Sequence, residues 1–221
     1  MVLALTTALA VFFVPSSTAH ASFSLKGEGL TRHVKWARAA QLHVPLPNEH
    51  VRVVEDWDLV PEYFAPQPEL GLGAQINLPR PGRGGWDYHA EHGLFLHELG
   101  HSFDHANVTP PLRKRFKVLA GTKCSWRAAH CRFRDRWDRT NVLDSPPGEW
   151  FAEMYASCAL GISQAEYQLE GYNTYGWLPP DGSDSAICSL FSAARHLKRY
   201  ENGNKGASLW WTVSDTEFSQ D

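Results

Sequence analysis

The chain has 221 residues, a net charge of −3 and 43% apolar residues, which suits one globular domain with a real core. The charges are mixed and near balance, which argues against a nucleic-acid or anionic-membrane partner. Nine tryptophans are a high count and fit either an exposed sugar-binding platform or core and cleft wall.

Residues 2–14 form an apolar run broken only by Thr6 and Thr7, followed by Pro15 and Ala19-His20-Ala21, an A-x-A cleavage pattern. The run is too short for a stable bilayer anchor. The expectation is a signal peptide over 1–21, though without a basic leading segment, then a single domain over 22–221 that is freely secreted. Four cysteines in an exported chain imply two disulfides. Of three pairings, proximity favours Cys124 with Cys131, leaving Cys158 with Cys188. A Cys₄ zinc site is the rival, but no C-x-x-C spacing exists.

Leu30, Val34, Trp36 and Ala37 among basic residues predict an amphipathic helix ending before Pro45 and Pro47. Residues 50–57 (HVRVVEDW) and 72–78 (LGAQINL) read as strands. The second could form a cleft edge to which an extended peptide adds, or be an ordinary sheet strand. Glycines at 82, 84 and 85 make a flexible entry to residues 89–105, HAEHGLFLHELGHSFDH. Leu94, Leu96, Leu99 and Phe103 predict a half-buried helix there.

That helix carries His97-Glu98-Leu99-Gly100-His101, the H-E-x-x-H pattern. Residues four apart project the same way, so His97 and His101 can share one zinc ion. Glu98 points slightly aside, where it can take a proton from a water on that ion. The alternative is a surface helix with incidental histidines.

Pro110 and Pro111 open a basic helix that stops near Gly121. Residues 122–146 read as irregular and Arg-rich, either contacting an acidic substrate or simply solvated. Pro146, Pro147 and Gly148 lead into a strongly helical Glu149-Trp150-Phe151-Ala152-Glu153-Met154-Tyr155-Ala156, ended by Gly161. Ser163 to Glu166 is a capping box for a following helix. A long helix is predicted near 185–200 and a late strand at 207–213.

A catalytic zinc needs a third protein ligand. The extended motif H-E-x-x-H-x-x-G-x-x-H fails, with Asp104 at the Gly position and Asn107 at the last His. His105 lies too far along a straight helix, and it and Asp104 are expected at the helix end. Glu149 and Glu153, four apart on a packing-competent helix, are the better source. The expected division is Glu149 on the metal and Glu153 accepting a ligand histidine's ring N–H. The exchanged roles, or an exposed acidic face, are the alternatives.

The pairing of His-Glu-Leu-Gly-His-Ser-Phe-Asp with a distant Glu149-Trp-Phe-Ala-Glu153 resembles the anthrax lethal factor-type zinc endopeptidases, which are gluzincins. The stretch Phe151 to Ala159 is also similar to uncharacterised exported actinobacterial proteins. The resemblance covers roughly residues 89–160, with support near Cys188. It implies His97, His101 and Glu149 as ligands and Glu98 as general base. It further implies an α+β zincin-like domain, with a small mixed sheet, the motif helix and a second, Glu-bearing helix. One departure stands out: those enzymes place an oxyanion-stabilising Tyr seven residues before the ligand Glu, and Val142 stands here. Tyr155, Tyr172, Tyr175, His130 and His196 are the alternatives.

The resulting expectation is a secreted, monomeric zinc endopeptidase acting on peptide or protein substrates. A zinc hydrolase of a cell-wall amide and a catalytically silent, zinc-stabilised binding or toxin-like domain are the other readings.

Overall fold

A computed structural model describes residues 23–56, 58–80, 88–128, 131–134, 142–172 and 177–203. The expected signal peptide and the strand expected at 207–213 lie outside the described residues.

Among the described residues, six helices and two small sheets make a mixed α+β fold. In chain order, β1 (Ser24–Lys26), α1 (Thr31–Ala40), β2 (His50–Asp56) and β3 (Glu62–Phe64) come first. A 3₁₀ turn (Pro68–Leu70), β4 (Ala74–Pro79), α2 (Tyr88–Asn107) and α3 (Pro110–Leu119) follow. Then come β5 (Arg132–Arg134), β6 (Val142–Asp144), α4 (Pro147–Leu160), α5 (Gln164–Leu169) and α6 (Asp184–Gly203).

The main sheet has the order β1-β2-β4-β3, with β3 antiparallel to β4 and the other pairs parallel. Alternation along β2 buries Val51 and Val53 and exposes Arg52, and β4 buries Ala74, Ile76 and Leu78. Register pairs Val53 with Ile76, so one apolar face turns toward the helices. The cleft-edge expectation for β4 needs correction. It is an interior strand between β2 and β3, and among the described residues β3 is the edge beside it.

α2 packs against β4, β3, α1, α4 and α6. It is therefore buried on nearly all sides rather than half-buried: Leu94, Phe95, Leu96, Leu99, Phe103 and also Glu91, His97, Glu98 and Ser102 are all covered. The stretch expected to be irregular over 122–146 contains the β5–β6 pair. Both disulfides form as proximity suggested, Cys124 with Cys131 and Cys158 with Cys188. The second joins α4 to α6.

Helix ends follow the local chemistry. Pro sits in the first turn of α3 and α4. Gly161 closes α4 in the left-handed region, and Ser163 with Glu166 forms a complete capping box for α5. The tryptophans among the described residues are core and wall, not an exposed platform. Trp150 and Trp177 are buried and stacked at 5.0 Å, while Trp36 and Trp126 are partly buried.

Gly100 decides how closely α2 and α4 approach. A Cβ there would lie 2.9 Å from Ala152 Cα and 3.1 Å from its carbonyl oxygen, so backbone rather than a pliable side chain would have to move. Gly100→Ala is expected to destabilise despite its better helix propensity: overpacking costs about 1–3 kcal/mol and propensity returns at most about 1. Thermal melting should drop by a few degrees; an unchanged or raised melting point would contradict this packing.

Candidate metal centre

α2 and α4 cross in opposite directions, so successive turns of one meet preceding turns of the other. Gly100 meets Ala152, His97 meets Glu153, and Glu149 lies beside both His97 and His101. Because His97 and His101 are one turn apart, both ring Nε2 atoms reach the point where the first turn of α4 delivers Glu149.

Three atoms converge there. His97 Nε2 and His101 Nε2 are 3.1 Å apart, and each is 3.2 Å from Glu149 Oε2. An ion bonded at about 2.0–2.1 Å in tetrahedral geometry holds its ligand atoms roughly 3.3–3.4 Å apart, so the set matches one face of such a tetrahedron. Two imidazole nitrogens this close repel unless a proton or cation lies between them. The donor set fits zinc: two nitrogens and one carboxylate oxygen, partly exposed on the His101 and Glu149 side.

Glu153 is fully buried, and its Oε1 stands 3.6 Å from His97 Nδ1, on the opposite edge of the ring from Nε2. That separation is an ion-pair contact rather than a short hydrogen bond. Its place behind the ring suits an orienting role and removes it from the ligand face, against the exchanged assignment. Glu98 is buried beside the cluster, only 4% exposed. Burial raises its carboxyl above the usual range, as do the negative charges of Glu149 and Glu62, with His97 and His101 opposing.

His97 and Glu149 shift each other in the metal-free chain. Burial pushes the His97 imidazole down, yet Glu149, Glu153 and Glu98 together raise it to about 9. Burial pushes the Glu149 carboxyl up, but hydrogen bonds and charge from His101 and His97 hold it well below the usual carboxylate range. A metal requires neutral histidine. A zinc ion held by this cluster would therefore displace a proton from His97 at pH 7, with affinity climbing as pH rises toward about 9. Conversely, the raised His97 stabilises the metal-free fold fully below its unfolded value near 6.5, and that contribution fades as pH rises through about 9. Calorimetric titration in buffers of differing ionisation heat reads the proton release; pH-independent affinity between 6 and 9 would contradict it.

Among the described residues a second group of ligand-type atoms exists, His33, Glu55 and Glu91. Here Arg32 Nη2 already lies 2.8 Å from Glu55 Oε1 and 2.6 Å from Glu91 Oε1, with His33 Nε2 at 3.2 and 3.3 Å from the same oxygens. The guanidinium supplies the cation, so this is a largely buried ion cluster joining α1, β2 and α2.

The remaining sequence candidates fall elsewhere. His105 Nδ1 faces Glu49 Oε2 at 3.4 Å, away from the cluster. Asp104 accepts from Arg113 and from the Trp126 indole, a role its position in the motif did not signal. Tyr155 is fully buried and donates to the Pro45 carbonyl, which excludes it from oxyanion duty. Tyr172 lies against Gly93, one turn before His97. Val142 is in β6, and Tyr175, His130 and the His196 side chain lie outside the described residues.

β3 borders this centre. Tyr63 donates to Glu49 Oε1, which also accepts from Ser102, the neighbour of His101. No family model matches the chain, and comparison with curated proteins and with solved structures returns no significant match.

Proposed function

We propose that this protein is a secreted, zinc-dependent endopeptidase of the gluzincin type, with His97, His101 and Glu149 holding the metal. The observation that carries the reading is the convergence of two Nε2 atoms and one carboxylate oxygen to 3.1–3.2 Å, with Glu98 buried alongside. A purely structural zinc would take a fourth protein ligand and have no use for Glu98. When bound, zinc would polarise the scissile carbonyl and acidify a water.

The chain's own groups do the rest. Glu98 accepts the proton of the attacking water and passes it to the departing amine, a task helped by its raised affinity for protons. Glu153 orients His97 from behind. An extended peptide can pair with edge strand β3, which runs beside the ligand segment of α2. Two disulfides support an exported protein, and no described helix is long and apolar enough to cross a membrane.

The test incubates the disulfide-bonded, zinc-loaded chain with a complex peptide mixture and reads new termini by mass spectrometry. Internal cuts that vanish on chelation and return with zinc support the reading. Zinc bound without any cuts would overturn the peptidase assignment.

A further inference from the structure

Glu149 sits in the first turn of α4, where helix ends fray. The residue capping that turn is Pro146, and no side chain caps it. A ligand in this position needs holding from outside its own helix.

The loop closed by Cys124–Cys131 supplies the hold at two points. Cys131 carbonyl accepts from Ser145 N–H at 3.4 Å, and Ser145 Oγ accepts from the Trp150 indole at 2.6 Å. Trp126 lies against Gly148, the residue before Glu149: a Cβ there would stand 3.7 Å from the Trp126 carbonyl oxygen and 3.9 Å from its Nε1. The Trp126 ring also meets Phe151 of α4 edge-on at 5.4 Å.

The same indole is tied to α2. Its N–H donates to Asp104 Oδ2 at 2.9 Å. Asp104 Oδ1 accepts from Arg113 Nε at 2.9 Å, and that guanidinium stands 5.5 Å from the centre of the Trp126 ring. Asp104 is three residues beyond His101, one turn along the same side of α2. One side chain thus bonds Asp104, in the turn after His101, and packs edge-on against Phe151, two residues beyond Glu149.

We infer that Trp126, anchored by Asp104 and held in its disulfide loop, is a positioning residue that sets Glu149 against His97 and His101. The inference rests on the zinc reading above. Trp126 touches none of the ligand atoms; it fixes the separation of the two helix turns that carry them. A purely structural role would cost stability without changing metal affinity or coordination.

The experiment compares the unaltered chain with Trp126→Phe, which keeps a ring against Phe116 and Phe151 but removes the indole donor. Zinc affinity is read by competition with a chromophoric chelator, and coordination by the absorption spectrum of the cobalt-substituted protein. Trp126→Phe is expected to weaken zinc by about tenfold, the range of outer-shell changes, and to alter the cobalt bands. Val53→Ala, in the sheet core away from α4, serves as a destabilised control and should leave both unchanged. Asp104→Ala, which removes both acceptor oxygens, must reproduce the loss, and it carries the test if Trp126→Phe fails to fold. Zinc affinity and spectrum matching the unaltered chain would overturn the inference, as would an equal loss in Val53→Ala. An unaltered chain that binds neither zinc nor cobalt would instead overturn the metal reading itself.

Discussion

Glu98→Gln is expected to retain zinc at the level of the unaltered chain while peptide turnover falls by at least about 100-fold, the lower range for loss of a general base. The amide keeps the size of the carboxylate in a site only 4% exposed, so the packing of α2 is preserved. What disappears is the carboxylate that the proposed chemistry uses to accept and return the proton. Because burial raises the Glu98 carboxyl, the proposed reaction should lose rate on the acid side at a higher pH than an ordinary carboxylate would give. Initial rates on a peptide cut by the unaltered protein, with zinc measured on the same sample by elemental analysis, check this. Turnover unaffected by the substitution would remove Glu98 from the reaction. Turnover and zinc lost together would make it part of the metal's support instead.

Glu149→Ala should have the largest effect on the metal. Its Oε2 is 3.2 Å from both histidine Nε2 atoms, so truncation removes one of the three proposed ligand atoms and leaves two imidazoles that would hold zinc only weakly. The loss should exceed the roughly 10–100-fold typical of outer-shell changes. Glu153→Gln, by contrast, should fall within that range, because Glu153 Oε1 faces His97 Nδ1 rather than the ligand edge. Chelator competition on both variants separates the two roles. If Glu153→Gln costs more zinc affinity than Glu149→Ala, the assignments must be exchanged.

Much of the site was legible because helix periodicity is a local property. Four-residue spacing places His97 over His101 and Glu149 over Glu153 without knowledge of anything else in the fold. Helix punctuation was equally local: Pro110 and Pro147 at starts, Gly161 at an end, and the Ser163–Glu166 box. The three-residue strands β1 and β3 were not legible, since so short a run shows no alternation and gains its hydrogen bonds from β2 and β4. Without β3, the sequence leaves β4 open as either a cleft edge or an ordinary sheet strand.

Other failures have the same physical origin. The α2 pattern was read as half-buried because its histidines and glutamates count as polar; converging groups and neighbouring elements on several sides bury them anyway. Asp104 occupied the position of an expected glycine, and only the fold shows Arg113 and Trp126 closing on its two oxygens.

The sequence by itself determined which residues carry ligand-type and proton-accepting groups and which helix face presents them, because dihedral geometry and side-chain chemistry travel with the chain. Whether those faces meet was decided by tertiary structure alone. Gly100 lets the backbones of α2 and α4 approach, the antiparallel crossing brings Glu149 to the Nε2 atoms and Glu153 to the far side of the His97 ring, and a disulfide-closed loop packs against the start of α4. Distances between segments about 50 residues apart are fixed by packing, and packing has no local signature in sequence.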